Sequence, residues 1–181
     1  MADILIGNVR SSLYQSKQTE WQKWRYCYEG GQAFIDAYLE YFSERETQTD
    51  FTARKKLTYA PSFAKTEINN IRNSIYERMC DVTRTTNCDT FNSSAVGENG
   101  GVDNHGSTMN RFMGVTVLEE LLPMSSVGVY VDMPNEIGDS VASQSKAKPY
   151  VYIYQIEQIL SYKKGLDGEF DKLLLQHVRS E

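Results

Sequence analysis

Residues 107–133 decide the fold of this chain, and they read STMNRFMGVTVLEELLPMSSVGVYVDM. Between Ser107, a candidate N-terminal cap, and Pro123, apolar residues recur at the spacing of an amphipathic helix. From Val127 to Met133 apolar residues instead alternate with other residues, which is the period-two pattern of a strand. A helix followed closely by a strand predicts an α+β fold.

The sequence after this stretch predicts further strands. Residues 134–148 are polar and predict a flexible loop, and the alternation resumes in Tyr150–Tyr154. A short helical turn is expected near Ile156–Leu160. The turn signal Gly165-Leu166-Asp167-Gly168 lies within Tyr162–Val178, whose two arms could pair as a hairpin. These segments predict a small antiparallel β-sheet.

The sequence before residue 107 predicts a helical amino-terminal half. Residues 1–18 are weakly patterned and predict a mobile arm. Three aromatic residues then fall on one helical face before the glycine pair Gly30-Gly31, which should end that helix. Their spacing favours packing in a core or between subunits over stacking on nucleic-acid bases. The three are Trp21, Trp24 and Tyr28.

More helices are expected before the second half of the chain. One spans Phe34 to Phe42, and a short basic one, capped by Asp50, runs through Lys56. The longest element is an amphipathic helix from about Ser62 to Arg84, with one apolar stripe and otherwise polar faces. The stripe consists of Ile68, Ile71, Ile75, Met79 and Val82.

The chain is long enough for one sizeable core, so one domain is predicted over residues 19–181. Residues 85–106 contain many glycine and polar residues and predict a flexible loop, like residues 134–148. A strand within Leu173–Glu181 would have an exposed edge with no later segment to cover it. We therefore expect the domain to be incomplete at its carboxyl end.

Composition restricts the possible functions. The formal net charge is −5, and the 19 basic residues form no polybasic run among 24 acidic ones, so tight wrapping of nucleic acid is not indicated. Three cysteines without a C-x-x-C motif predict free thiols in a reducing compartment. No signal peptide and no membrane-spanning run is recognisable, which predicts synthesis in the cytosol without membrane contact.

Only His105 and His177 could serve histidine-based catalysis. The run Asp103-Asn104-His105-Gly106-Ser107 holds an acid, a base and a nucleophile within five residues. Catalytic triads are assembled from residues distant in sequence, because neighbouring residues rarely reach the required geometry. We therefore favour Ser107 as a helix cap over a hydrolase centred on His105.

Other local patterns resemble binding motifs without completing them. The glycines of Gly97–Gly101 lack the lysine and the spacing of a phosphate loop, so Asp132 at a strand end has no such partner for magnesium. The basic run Arg54-Lys55-Lys56 lies near several acidic residues and reads as a solvated helix face. The sequence thus predicts no catalytic, cofactor-binding or metal-binding residue.

Three strings resemble bacteriophage portal proteins, the ring-shaped head–tail connectors of tailed phages. The most specific couples a loop from Gly101-Val102-Asp103, the apolar helix and the strand end Val127–Pro134. An earlier string runs from Tyr28-Glu29-Gly30-Gly31 through Tyr38-Leu39 and Arg54–Arg84, including Asn73–Arg78, and a later one joins Pro149-Tyr150-Val151 and Tyr154 to Ile159–Tyr162.

The resemblance implies a non-enzymatic structural subunit without cofactors. Portal subunits form a homo-oligomeric ring, usually a dodecamer, at the capsid vertex of the virion, and support DNA packaging and head–tail joining. They contact the major capsid protein, head-completion or adaptor proteins and the terminase, and DNA passes through the ring. By this resemblance the chain is the wing portion, with the stem and clip beyond Glu181, so direct DNA contact is not expected.

Two alternatives remain open on sequence grounds. One is a small phage or bacterial enzyme fragment, namely a hydrolase around His105. The other is a stand-alone adaptor or binding module. Assembly into a ring distinguishes the portal subunit from both.

Overall fold

The computed structural model describes residues 9–79, 81–133 and 148–176 and has the predicted α+β fold. Helices fill the amino-terminal half, and antiparallel strands follow. The helices are α1 (Ser12–Glu29), α2 (Gly31–Tyr38), α3 (Gln48–Leu57), α4 (Phe63–Met79), α5 (Asp89–Ala95), α6 (Met109–Arg111) and α7 (Leu118–Met124). The strands are β1 (Val127–Asp132), β2 (Tyr150–Gln155), β3 (Ile159–Lys164) and β4 (Phe170–Leu175).

Helix α1 begins earlier than the sequence predicts. The hydroxyl of Ser11 caps it by accepting a hydrogen bond from the Tyr14 amide, and Tyr14 is buried with its ring 5.7 Å from that of Trp21. The predicted mobile arm over residues 1–18 is therefore wrong from residue 12 onward, and residues 1–8 lie outside the described residues. At its other end the helix stops at Gly30, as predicted.

The next helices differ from the prediction mainly at their ends. Helix α2 stops at Tyr38 instead of Phe42. Thr47, not Asp50, caps α3, because the Thr47 hydroxyl accepts the Asp50 amide. Helix α4, predicted as the longest element, has 17 residues and ends before Arg84, and α1 is longer with 18. The chain beyond α4 is held by other contacts instead, since Asn110 bonds both to Arg84 and to the Val82 carbonyl.

The predicted flexible loop at 85–106 is partly helical. It contains α5 and a 3₁₀ turn at Glu98–Gly100, which the sparse apolar pattern did not indicate. The Asn92 side chain closes the loop by bonding both the amide and the carbonyl of Thr86. Val102 is buried, so this segment contributes to the core. The second predicted loop, 134–148, lies outside the described residues except for Lys148.

The helix within residues 107–133 is less regular than predicted. Thr108, not Ser107, is its cap, and it widens into a π-helical stretch at Phe112–Val117 before continuing through Pro123 to the end of α7. Gly114 in the π-helical stretch lies against Tyr76 of α4, where a Cβ atom would stand 2.5 Å from the ring. Glycine therefore allows the two helices to approach closely here.

The strands form two separate antiparallel hairpins. Strands β1 and β2 pair with Tyr130 opposite Tyr152, and β3 pairs with β4 with Tyr162 opposite Leu173. A 3₁₀ turn between Gln155 and Ile159 connects the hairpins. The predicted small sheet is thus divided, and β4 has β3 as its neighbour.

Two apolar clusters make up the core. One joins α1 to α7 and β3, and the other packs the π-helical stretch against the first hairpin. Each fully buried side chain contributes about 1.5–3 kcal/mol to folding. The buried members are Tyr14, Trp21, Met124 and Leu160 in the first cluster and Val102, Phe112 and Val117 in the second.

Candidate functional site

An apolar segment, residues 57–63, connects the end of α3 to the start of α4. Leu57, Tyr59 and Phe63 in this segment are 85%, 84% and 73% exposed. Its backbone is fixed, because the Gly31 amide donates to the Ala60 carbonyl at 2.7 Å and Gly30 lies tightly against the same carbonyl. Grouped apolar exposure on a fixed backbone is typical of an interaction surface.

Ion pairs hold α3, which carries this segment. Arg54 forms two bonds to the Glu46 carboxylate, the shortest at 2.7 Å, and another to the Glu40 carbonyl, while Lys55 pairs with Asp36 at 3.1 Å. Bonds from Arg54 and from the Phe42 amide lower the pKa of Glu46 to about 2. Two members of the predicted basic cluster are therefore engaged within the chain.

A second apolar surface, the hairpin groove, lies between the two β-hairpins. Its volume is about 410 Å³. Gly128 forms part of its wall, where a Cβ atom would stand 3.0 Å from the Ile159 side chain. Large apolar and aromatic side chains from all four strands provide most of the lining. They include Tyr130, Tyr154, Tyr162, Phe170 and Leu173, with the Lys164 amine 5.5 Å from the Phe170 ring centre.

The 57–63 segment and the hairpin groove are both connected to α1. The segment contacts the glycine pair that follows the carboxyl end of this helix, since the Gly31 amide donates to the Ala60 carbonyl. On the groove side, the Leu160 carbonyl of β3 accepts the Ser11 amide, and Glu157 of the 3₁₀ turn bonds Arg25 of α1.

A partly buried ion-pair cluster fixes the carboxyl-terminal part of α1 to α7 and to the 3₁₀ turn between the hairpins. Arg25 binds the Glu120 carboxylate of α7 through two nitrogens, at 2.7 and 3.0 Å, and bonds Glu157 of the 3₁₀ turn at 2.9 Å. Gln155 also donates to Glu120. Burial alone would lower the pKa of Arg25, but the two carboxylates raise it above its ordinary value. The cluster therefore ties α1 to α7 and to the turn that precedes β3.

A wider cavity of about 770 Å³ lies beside β2 and brings His105 near Asp132. Tyrosines at alternate positions of β2 line it, and the Tyr150 hydroxyl donates to Asp132 at 3.2 Å. Asp132, considered as a magnesium ligand from the sequence, is thus bonded to a neighbouring side chain. Within the described ranges no three His, Cys, Asp or Glu residues are grouped as metal ligands would be.

The Asp103 carboxylate organises its loop. One oxygen accepts the backbone amides of His105 and Ser107, at 2.9 and 3.1 Å. The Ser107 carbonyl in turn accepts the Val102 amide, which closes the loop. Asp103 therefore contacts His105 through its backbone amide and Ser107 through both its side chain and its backbone amide, and His105 is exposed. His177, the other candidate histidine, lies outside the described residues.

We expect Asp103→Asn to reduce the acid sensitivity of folding. Burial raises the pKa of Asp103, but bonds from Ser107 and the loop amides outweigh it and hold the pKa below its usual 3.8. A lowered carboxyl pKa adds stability that is full above the unfolded value and is lost as pH falls through the folded value. In urea denaturation, the wild-type advantage over Asp103→Asn should therefore be constant above about pH 5 and shrink as the pH falls through and below 3.8. A difference that stays constant over the whole range would contradict this role.

Sequence reasoning placed two of the three aromatic residues of the stripe correctly, since Trp21 and Tyr28 are buried, whereas Trp24 is exposed. It missed both apolar surfaces. Tyr59-Ala60-Pro61 indicated the end of a helix but not the exposure of Leu57 and Tyr59. The hairpin groove could not be recognised from the sequence either, because its walls come from four strands that meet only in the folded chain.

No helix in the described part of the chain is long and apolar enough to cross a membrane. Comparison with protein-family models gave no match, and a search of curated proteins gave none either. The geometry of the two apolar surfaces and the resemblance of three sequence strings are therefore the observations that bear on function.

Proposed function

We propose that this chain is a structural subunit of a phage portal ring that supports genome packaging and head–tail joining. The observation that carries the proposal is the presence of two apolar surfaces, the 57–63 segment and the hairpin groove. A ring subunit has two neighbours and needs two different contact surfaces, whereas an isolated protein rarely exposes grouped large apolar side chains. The capsid shell, head-completion proteins and the terminase would be further partners at the virion vertex.

The most specific portal-like string supports the proposal because it forms one packed unit. Its loop contributes Val102, its helix Phe112 and Val117, and its strand Val127, all in the same apolar cluster. Lys148, just before β2, donates to the Gly101 carbonyl at 2.6 Å and ties the loop to the first hairpin. These residues therefore act together as a scaffold for the strand region.

The charge distribution supports a role in which this chain does not bind DNA tightly. Acidic residues outnumber basic ones, and Arg54, Lys55 and Arg72 each pair with a carboxylate of the same chain. Strong phosphate binding depends on clustered cations that release counterions. DNA passing through the ring would thus slide past this chain.

Electron microscopy of the purified chain tests the proposal. We expect closed rings with one copy number among the class averages. A chain that remains monomeric at every soluble concentration would contradict the ring and favour the adaptor module. Hydrolytic turnover by that monomer that His105→Ala removes would favour the hydrolase instead.

A further inference from the structure

We infer that the cavity beside β2 binds a short extended segment of another protein, which adds to the edge of this strand and carries an arginine side chain. The inference goes beyond the proposed ring and does not depend on it, because it concerns recognition of a different protein. The cavity has a volume of about 770 Å³, and its walls are β2, the loop around His105 and the π-helical stretch.

The edge of β2 that faces this cavity offers backbone groups to a partner. The Val151 amide donates to the Val102 carbonyl at 2.8 Å, so the backbone of Val151 points away from β1. In an antiparallel pair successive residues point alternately toward the neighbouring strand and away from it, so Ile153 also points away. Ile153 lines the cavity, and within residues 9–79, 81–133 and 148–176 no other group bonds its backbone on that side. Its amide and carbonyl can therefore pair with an added strand.

Both ends of this strand edge are already occupied, which limits the length of the added segment. The Val102 carbonyl accepts the Val151 amide at one end. At the other end the Gln158 side chain accepts the Gln155 amide at 2.9 Å. An added strand therefore makes its backbone hydrogen bonds at Ile153, between these two closures. The cavity fits a short extended segment better than a long strand.

Two carboxylates in the cavity wall favour a cationic partner. Asp132 accepts the Tyr150 hydroxyl, and Asp103 accepts loop amides, so the bonds of both carboxylates come from uncharged groups. Neither forms an ion pair in the described part of the chain. Lys148, just before the strand, donates instead to the Gly101 carbonyl. Negative charge of this kind in a cavity attracts a cation and disfavours an acidic segment.

A row of tyrosines beside the carboxylates favours arginine over lysine. Tyr150, Tyr152 and Tyr154 occupy alternate positions of β2, with successive ring centres 5.9 and 5.4 Å apart. The Tyr150 hydroxyl lies 3.2 Å from Asp132, so aromatic and acidic groups adjoin. A planar guanidinium stacks on aromatic rings and also bonds a carboxylate through two nitrogens, whereas an ammonium group is a compact charge.

The overall charge of the chain favours a segment from a different protein. With a formal net charge of −5, two copies of this chain repel each other. Arg25, Arg54 and Arg72 each bind a carboxylate of their own chain. A basic segment of another sequence is instead attracted to the acidic chain and to its cavity.

Fluorescence anisotropy with synthetic peptides tests this site on the full chain. The probe is the labelled peptide Val-Arg-Val-Arg-Val. One control peptide has glutamate in place of both arginines, and the other keeps the arginines but has every backbone nitrogen methylated. We expect saturable binding of the probe and affinities about tenfold or more weaker for each control. Equal binding of either control, or no saturable binding up to about 1 mM probe, would overturn the inference.

Asp132→Asn tests the acidic wall while keeping the side-chain shape, and it should weaken binding of the probe by about tenfold. Asp171→Asn is the matched control, because Asp171 is an exposed carboxylate of β4 outside the cavity lining. It should bind the probe as the wild-type chain does. Circular dichroism checks that both variants are folded. Equal affinities for the two variants would overturn the recognition of arginine by the cavity.

Amide hydrogen exchange measured by NMR locates the bound peptide. With saturating probe the Ile153 amide should exchange about tenfold or more slowly, whereas the Tyr152 amide, which points toward β1, should be unchanged. Unchanged exchange at Ile153 would overturn strand addition. A wild-type chain that assembles into rings but does not bind the probe would overturn this inference alone. A monomeric chain that binds the probe would overturn only the proposed ring.

Discussion

Replacing Arg25 with methionine should lower the free energy of unfolding by about 3 kcal/mol. The substitution keeps most of the apolar stem and removes the charge between Glu120 and Glu157, whose side chains are only 13% and 28% exposed. Two partly buried carboxylates then lack their shared partner, and breaking a buried pair costs about 3–5 kcal/mol. Partial access to water places the expected loss at the lower end of this range. Urea denaturation followed by circular dichroism measures it.

Lys17→Met provides the control for this prediction. Lys17 pairs with Glu20 at 2.8 Å on the same helix, but both side chains are largely exposed. Exposed pairs contribute about 0–1 kcal/mol because water and salt screen them. Equal losses for the two variants would show that the Arg25 cluster is an ordinary surface contact.

Gly101→Ala should be comparably damaging, with a loss of about 3 kcal/mol. Gly101 has a φ of +66°, and a Cβ atom there would stand 2.4 Å from the Ser107 carbonyl oxygen. Both the left-handed backbone and the contact with backbone atoms oppose a side chain, and the closure between Val102 and Ser107 would have to move. Thermal and urea unfolding check the loss.

Gly106→Ala separates backbone strain from crowding. Gly106 also has a positive φ, of +85°, but no atom outside its chain neighbours lies within 4 Å of a Cβ atom at that position. Only the left-handed conformation then opposes the side chain, which costs about 1–2 kcal/mol. Losses of the same size at both glycines would contradict the close packing assigned to Gly101.

Much of the fold could be predicted because local patterns and tertiary packing agree. The period-two pattern correctly predicted β1 and β2 as strands, and Val127, Val151 and Ile153 of this hairpin pack against the cluster of Phe112 and Val117. The burial itself does not alternate along β1, because Val129 and Val131 are exposed. The turn at residues 165–168 joins β3 to β4, where Gly168 adopts the positive φ that such a turn favours. The stop at Gly30 likewise follows from a backbone conformation that glycine tolerates best.

The errors arose where neighbouring residues compete for one role. Ser107 and Thr108 are both suitable caps, and Thr108 caps because its hydroxyl accepts the Arg111 amide while the Ser107 amide binds Asp103. Helix α5 was not predicted because its sequence contains few apolar residues. The π-helical stretch depends on the fit of Gly114 against Tyr76, which no local pattern encodes.

The candidate site was harder to predict than the fold, because it consists of apolar side chains that stay exposed and do not pack in the core. Tyr59-Ala60-Pro61 indicated only the end of a helix, and nothing in the string shows that Tyr59 stays exposed. The groove joins Gly128 to Leu173, residues far apart in the chain, across two hairpins. A surface of this kind can be recognised only when the positions of the helices and strands in the folded chain are known.

The mass of the purified wild-type chain, measured by native mass spectrometry across a concentration series, tests the central claim most directly. The ring predicts one dominant species at a whole-number multiple of 20.7 kDa. A single species of 20.7 kDa at every concentration would contradict a ring-forming subunit.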